Sequence, residues 1–272
     1  EMTYLEKILE EHRSKANEDS RSFKSLYEEA VVEKPTKGFI NALNAQRKGE
    51  IAVIAEVKRK SPSKGNLVSE LNPSLLATEY ENGGAAAISV LTEEKNFSGS
   101  KKDLIEVSNS VNLPILRKDF TVDPRDICDA RIMGADAVLL IVAALDQFEL
   151  RDFIDLSIEL DLDPLVEIHD ERELDLALEV GAKLIGVNQR DLKSFEVDSS
   201  KAVNLKSKIP ESVTAVAESG IDSAESAAVL KEAGYSALLV GELLVKSKDR
   251  ACLLYTSPSP RDLSTSRMPS SA

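Results

Sequence analysis

Eight short apolar runs recur along this chain, separated by stretches whose apolar residues fall at helical spacing. Four of the runs follow a glycine that closes a helix-like stretch: AAISVL after Gly84, DAVLLI after Gly134, KLIGVN after Gly181 and SALLVG after Gly234. Glycine suits the left-handed position just past a helix C-terminus. These glycines lie 50, 47 and 53 residues apart. One strand-helix unit takes about 30 residues or a little fewer, so each interval holds two units. The interleaved runs are IAVIAEVK (51–58), PILRKDF (114–120), DPLVEIHD (163–170) and TAVAESG (214–220). None of the eight alternates polar with apolar residues, which marks parallel strands buried on both faces.

Helices are predicted between the runs. Asn72-Pro73 offers an N-cap followed by a first-turn proline, and 146–160 and 170–180 carry apolar residues at helical spacing. Alternating strands and helices leave a closed barrel or an open doubly wound sheet. The count of eight and the even spacing favour an α/β (β/α)8 TIM barrel, and no G-x-G-x-x-G follows the first strand. Residues 1–47 are expected to add two or three helices packed on the barrel, with apolar faces at Tyr4, Leu5, Ile8 and Leu9 and at Phe23, Leu26, Tyr27 and Val31. The stretch from Arg59 to Asn72 reads as a long loop of the kind that carries function. The expected domain runs over 1–250. From Cys252 onward the sequence turns rich in serine, threonine and proline, where an eighth helix is due, and it reads like a translated sequencing adaptor. Residues 251–272 are therefore expected to be foreign and disordered, and the eighth helix to be missing.

Composition narrows the function classes. A formal net charge of −13 argues against non-specific nucleic-acid binding, and an anionic substrate then needs a local cationic site. The two cysteines, Cys128 and Cys252, have neither metal-ligand spacing nor a disulfide pattern, as in a reducing compartment. No apolar run approaches the roughly 20 residues that span a bilayer, and the first residues carry no secretory signal. The expectation is a cytoplasmic monomer that meets neither membrane nor nucleic acid.

Barrel chemistry sits at the C-terminal ends of the strands. There the runs place Glu56 and Lys58, Lys118, Glu167, Asn188 and Glu218. Charge inside an apolar strand is costly unless paired. Lysines among glutamates at one end suit acid-base work on an anionic substrate: neighbouring opposite charges are expected to keep both ionised, while burial draws their pKa values toward neutrality. Ser219-Gly220 and Gly241-Glu242 put small residues after the seventh and eighth strands, where such barrels bind phosphate through backbone N–H groups. The two histidines, His12 and His169, are too far apart for a metal hydrolase, and His169 reads as a loop or supporting residue beside Glu167.

Several strings together resemble the indole-3-glycerol-phosphate synthase family: the stretch Ile54–Gly65, Leu91-Thr92-Glu93, Phe97 with Gly99-Ser100, Pro114–Phe120, Leu165–His169, Gly186–Asp191, Ala217–Ile221 and Val240–Glu242. The resemblance covers about residues 4 to 250 in family order. It implies conversion of a carboxyphenylamino-deoxyribulose phosphate to indole-3-glycerol phosphate by ring closure, loss of CO₂ and loss of water, with no cofactor and no metal. By the resemblance Lys118 is the general acid for ring closure and Glu167 the acid-base residue for dehydration. Lys58 binds the anionic groups with Glu56 as its charge partner, and Asn188 and Glu218 orient substrate or lysine. Ser61 and Arg190 are further contacts, Phe97 is an apolar wall, and Ser219, Gly220, Gly241 and Glu242 hold phosphate. Two rivals are an isomerase of phosphoribosylanthranilate, which uses a cysteine and an aspartate instead, and a barrel scaffold without activity.

Overall fold

The computed structural model describes residues 2–46, 50–61, 65–67, 71–191 and 196–246. Eight parallel strands close into a barrel: β1 (Ala52–Val57), β2 (Ala87–Leu91), β3 (Ile115–Lys118), β4 (Ala137–Ile141), β5 (Asp163–Ile168), β6 (Leu184–Asn188), β7 (Thr214–Glu218) and β8 (Ala237–Val240). Each strand pairs with its sequence neighbours, and β1 also pairs with β8 to close the ring. The strands are almost wholly buried, as the unbroken apolar runs require. Their inner and outer faces form one core that includes Ile54, Ile88, Ile115, Leu140, Leu165 and Ile185.

A helix fills each crossover: α4 (Pro73–Asn82), α5 (Lys101–Ser110), α6 (Pro124–Ile132), α7 (Gln147–Glu159), α8 (Glu171–Glu179), α9 (Ser199–Lys206) and α10 (Ala224–Glu232). Their starts follow local chemistry. Asn72 accepts from the Leu75 N–H, and Asp146 accepts from the N–H groups of Phe148 and Glu149. The four glycines of the repeat have φ of +89°, +89°, +82° and +96°, the left-handed conformation expected of them. Inside the 59–72 loop, Lys60–Ser61 pairs antiparallel with Gly65–Asn66, a short hairpin that the loop reading did not anticipate.

Three helices precede the barrel: α1 (Tyr4–Glu18), α2 (Phe23–Val31) and α3 (Phe39–Asn44). α3 closes the N-terminal end. Phe39 and Leu43 are buried, and the N–H of Ile40 donates to Asp163 at the start of β5 at 2.8 Å. Asn44 Nδ2 donates to Thr214 at the start of β7 at 2.9 Å. α2 packs on α6. α1 lies across the opposite end, where the strands finish: Tyr4 Oη donates to Asn96 at 3.0 Å, and Arg13 pairs with Glu149 at 2.9 Å. After β8 comes a short helix, α11 (Glu242–Lys246). The expected absence of an eighth barrel helix, and the expected foreign tail, fall on residues outside the described ones.

Candidate active site

The strand register brings the charged residues to one level. Glu56 stands opposite Ser89, Lys118 opposite Leu91, Glu167 opposite Gly186, and Asn188 opposite Glu218. Above them, at the C-terminal end, opens a cavity of about 530 Å³. It is lined by Glu56, Lys58, Ser61, Phe97, Lys118, Glu167, Asn188, Arg190, Ser219, Gly220, Gly241 and Glu242. Of the side chains singled out from sequence, Glu218 alone is not in the lining; it sits beneath, 1% exposed, in contact with Lys118.

Glu56 is the hinge of the cationic side. One carboxylate oxygen lies 3.0 Å from Lys58 Nζ. The other is 3.7 Å from Lys118 Nζ and accepts from Ser89 Oγ at 3.2 Å. Burial alone would raise its pKa, but the two lysines outweigh that and hold it below the ordinary carboxylate range. Lys118 also lies 3.5 Å from Glu218. Burial works against its charge, yet Glu56, Glu218 and Glu167 together push its pKa up. Of the two opposing effects expected from the sequence, the opposite charges win for Lys118, Glu56 and Glu167 and keep them ionised. Burial wins for Glu218, which burial and the nearby Glu167 push up to about 8.

Glu167 stands on β5, one strand beyond β4 from Lys118 on β3. Its Oε1 accepts from Asn188 Nδ2 at 3.2 Å and lies 3.3 Å from His169 Nε2. Against the cost of burial, His169, Lys118 and Asn188 hold its pKa low, so the carboxylate is charged at neutral pH. Asn188 in turn accepts from the Arg190 N–H at 3.0 Å, which fixes the amide orientation. The cavity thus holds an ammonium ready to give a proton and a carboxylate ready to take one, on β3 and β5, two strands separated by β4.

The ends of β7 and β8 supply a different kind of lining. Ser219 and Gly220 both have positive φ, 66° and 68°. That conformation is strained for a serine, and such strain gathers at functional sites. A Cβ on Gly241 would come within 2.9 Å of Glu56 Oε1 and 3.3 Å of Lys58 Nζ, so only glycine lets the chain pass this close to the ion pair.

Sequence reasoning missed part of the apolar wall. Tyr4, Leu5 and Ile8 of α1 line the cavity together with Phe120, Leu139 and Ile141. Phe97 and Phe120 stand with ring centroids 6.4 Å apart. Their signal was present as the apolar face of α1, but helical spacing does not say which end of a barrel a face will cover. Asp119 and Asp222 also border the cavity. Neither His12 nor His169 does, as the reading of the histidines expected. Among the described residues no group of three His, Cys, Asp or Glu side chains could hold a metal ion. Among them, too, no helix is long and apolar enough to cross a membrane.

The sequence profile described as indole-3-glycerol phosphate synthase matches residues 5–254. The chain belongs to the indole-3-glycerol phosphate synthase family. A family member from Chlorobium phaeobacteroides is 44% identical over 257 residues, covering 94% of this chain and 99% of that one. The member from Chlorobium luteolum is 47% identical over 250 residues, 91% of this chain and 95% of its own length. That from Leifsonia xyli is 51% identical over 203 residues, 75% of this chain and 78% of the other. All three carry the name indole-3-glycerol phosphate synthase. Among solved structures, a thiamine phosphate pyrophosphorylase from Pyrococcus furiosus has a TM-score of 0.57 at 16% identity, over 80% of this chain and 96% of that one. At that identity it shares the barrel fold with this family member and nothing finer. The family places the chain among carboxy-lyases of tryptophan biosynthesis and removes the isomerase rival.

Proposed function

We propose that this cavity converts 1-(2-carboxyphenylamino)-1-deoxyribulose 5-phosphate to indole-3-glycerol phosphate, with Lys118 and Glu167 as the proton-handling pair. The observation that carries the assignment is their placement: a firmly protonated lysine and a charged carboxylate line one cavity, each held by its own partners. As the aromatic carbon bonds to the ketone carbon, the ketone oxygen gains negative charge, and Lys118 gives it a proton. An alkoxide is a stronger base than an amine, so the transfer is downhill even with the lysine pKa raised. CO₂ then leaves without the bonding electron pair, which restores the aromatic ring. In the last step Glu167 takes a proton from the carbon next to the carbinol and hands it to the departing hydroxyl, so that water leaves and the carboxylate returns to its charged form. Lys58 binds the substrate's anionic groups while Glu56 keeps its ammonium in place. The aromatic end of the substrate rests on Phe97 with Phe120, Leu5 and Ile8. The phosphate is held by Ser219, Gly220, Gly241 and Glu242 at the ends of β7 and β8, with Ser61 and Arg190 as further contacts.

The Glu167→Gln substitution keeps the side chain's shape and its bond to Asn188 while removing the base. Turnover is expected to fall by about 10²-fold or more with the barrel folded, as loss of a positioned base does. Turnover equal to the parent would reduce Glu167 to a structural partner of Lys118.

A further inference from the structure

Two ionisable groups stand against Glu167 that this chemistry does not use. His169 follows β5 two residues after Glu167, and Glu173 lies in the first turn of α8. Glu173 is fixed in place, since its own N–H donates to the Asp170 cap at 2.8 Å. Its carboxylate accepts from the His169 backbone N–H at 2.6 Å and lies 3.1 Å from the ring Nδ1. Backbone and ring of one residue are thus gripped by the same carboxylate. That grip leaves the other ring nitrogen, Nε2, 3.3 Å from Glu167 Oε1. Nε2 is buried and has no hydrogen-bond partner among the described residues, so the contact with Glu167 is an ion pair.

A neutral imidazole carries one N–H and one lone pair. With carboxylates at both nitrogens, the neutral ring would turn a lone pair toward one of them; the imidazolium attracts both. Burial disfavours the charged ring, but Glu167 and Glu173 outweigh it and hold the pKa up at about 10. The groups that face this chain from other elements are Asn188 on β6, Lys118 on β3, which favours charge on Glu167, and Glu218 on β7, which opposes it. Glu56 on β1 lies 3.7 Å from Lys118 and also opposes charge on Glu218.

We infer that His169 is a positioning residue for the reaction: clamped by Glu173, it fixes Glu167 against Asn188 and keeps it in the charged form that can accept a proton. The inference rests on the proposed role of Glu167 as base. It adds a cation outside the cavity, on the side where no substrate group is needed, to the Lys118 ammonium within.

The test compares His169→Gln, Glu173→Gln and Glu167→Gln in the full chain, with kcat and KM measured across pH. An opposite charge at this distance lowers a carboxylate pKa by about 1 to 3 units. In His169→Gln the pH below which kcat falls is therefore expected to rise by about that much, with turnover recovering above it and KM little changed. Glu173→Gln should shift the same limb in the same direction by less, and it carries the test if His169→Gln does not fold by circular dichroism. Damage to packing alone would lower kcat at every pH and leave the limb in place. The chain has two histidines, so the ring resonances of His169 can be followed directly; a ring still protonated at pH 8 supports the inference, and a ring neutral at pH 7 overturns it. Unshifted limbs in both variants, beside an inactive Glu167→Gln, overturn the inference and leave the base assignment standing. Parent-like turnover in Glu167→Gln removes the reading on which both rest.

Discussion

Glu218 and Glu167 are the same residue type, both buried at the ends of barrel strands, yet their pKa values move apart. The difference lies in the partners. Glu167 has the Asn188 amide donor and the His169 ring nitrogen within 3.3 Å. Neither oxygen of Glu218 has a hydrogen bond among the described residues, and Lys118 is 3.5 Å away. Sequence placed all of these groups at one level but could not say which faces which, and the direction of each shift depends on that. The consequence for stability has a definite sign. A carboxyl whose pKa is raised from 4.5 to about 8 on folding contributes stability that is present below 4.5 and lost as pH rises through 8. Glu218→Gln removes this dependence. The melting temperature of the variant relative to the parent should therefore climb between pH 5 and pH 9. A difference that stays flat or falls across that range contradicts the protonation assigned to Glu218.

Elements set where the side chains can go. The middle residue of β6 is Gly186, and a Cβ there would fall 2.0 Å from Glu218 Oε1 and 3.2 Å from Leu165 Cδ1. The strand gives up a side chain so that its neighbour can bury a carboxylate beneath Lys118. Gly186→Ala is expected to push Glu218 upward into the lysine. Overpacking of this kind costs about 1–3 kcal/mol, and kcat should fall by about tenfold or more, as a small displacement of a catalytic group does. A variant with parent melting temperature and parent kcat would show that Glu218 has room elsewhere. The glycine was visible in the sequence within the string Gly186–Asp191, but as part of a resemblance; its physical reason appears only when β6 and β7 are paired. The same holds for α1. Its apolar face was legible from spacing, and the barrel expectation was sound, but the cover that Leu5 and Ile8 give the cavity comes from the path of residues 19–38 around the barrel. The strands themselves were legible to within a residue or two, because a strand buried on both faces has to be apolar throughout.

At the scale of the molecule, the barrel turns eight sequence-distant strand ends into one surface and gathers Glu56, Lys58, Lys118, Glu167 and Glu218 there. The chain as a whole is strongly acidic, at −13, so under the proposed function the affinity for a phosphate ester rests on Lys58, Lys118 and the backbone at the ends of β7 and β8 rather than on the overall field. The architecture and the charged strand ends could be read from sequence because barrels localise chemistry by topology. The division of labour among the charges could not. That division is tested most directly by the rate of indole fluorescence appearing when the purified chain meets 1-(2-carboxyphenylamino)-1-deoxyribulose 5-phosphate, measured for the parent and for Lys118→Ala. The parent should turn over, and the variant should lose about 10²-fold or more in kcat with KM changed far less, as expected when a positioned proton donor is removed. A variant that turns over at nearly the parent rate would contradict the assignment of Lys118 as the acid for ring closure.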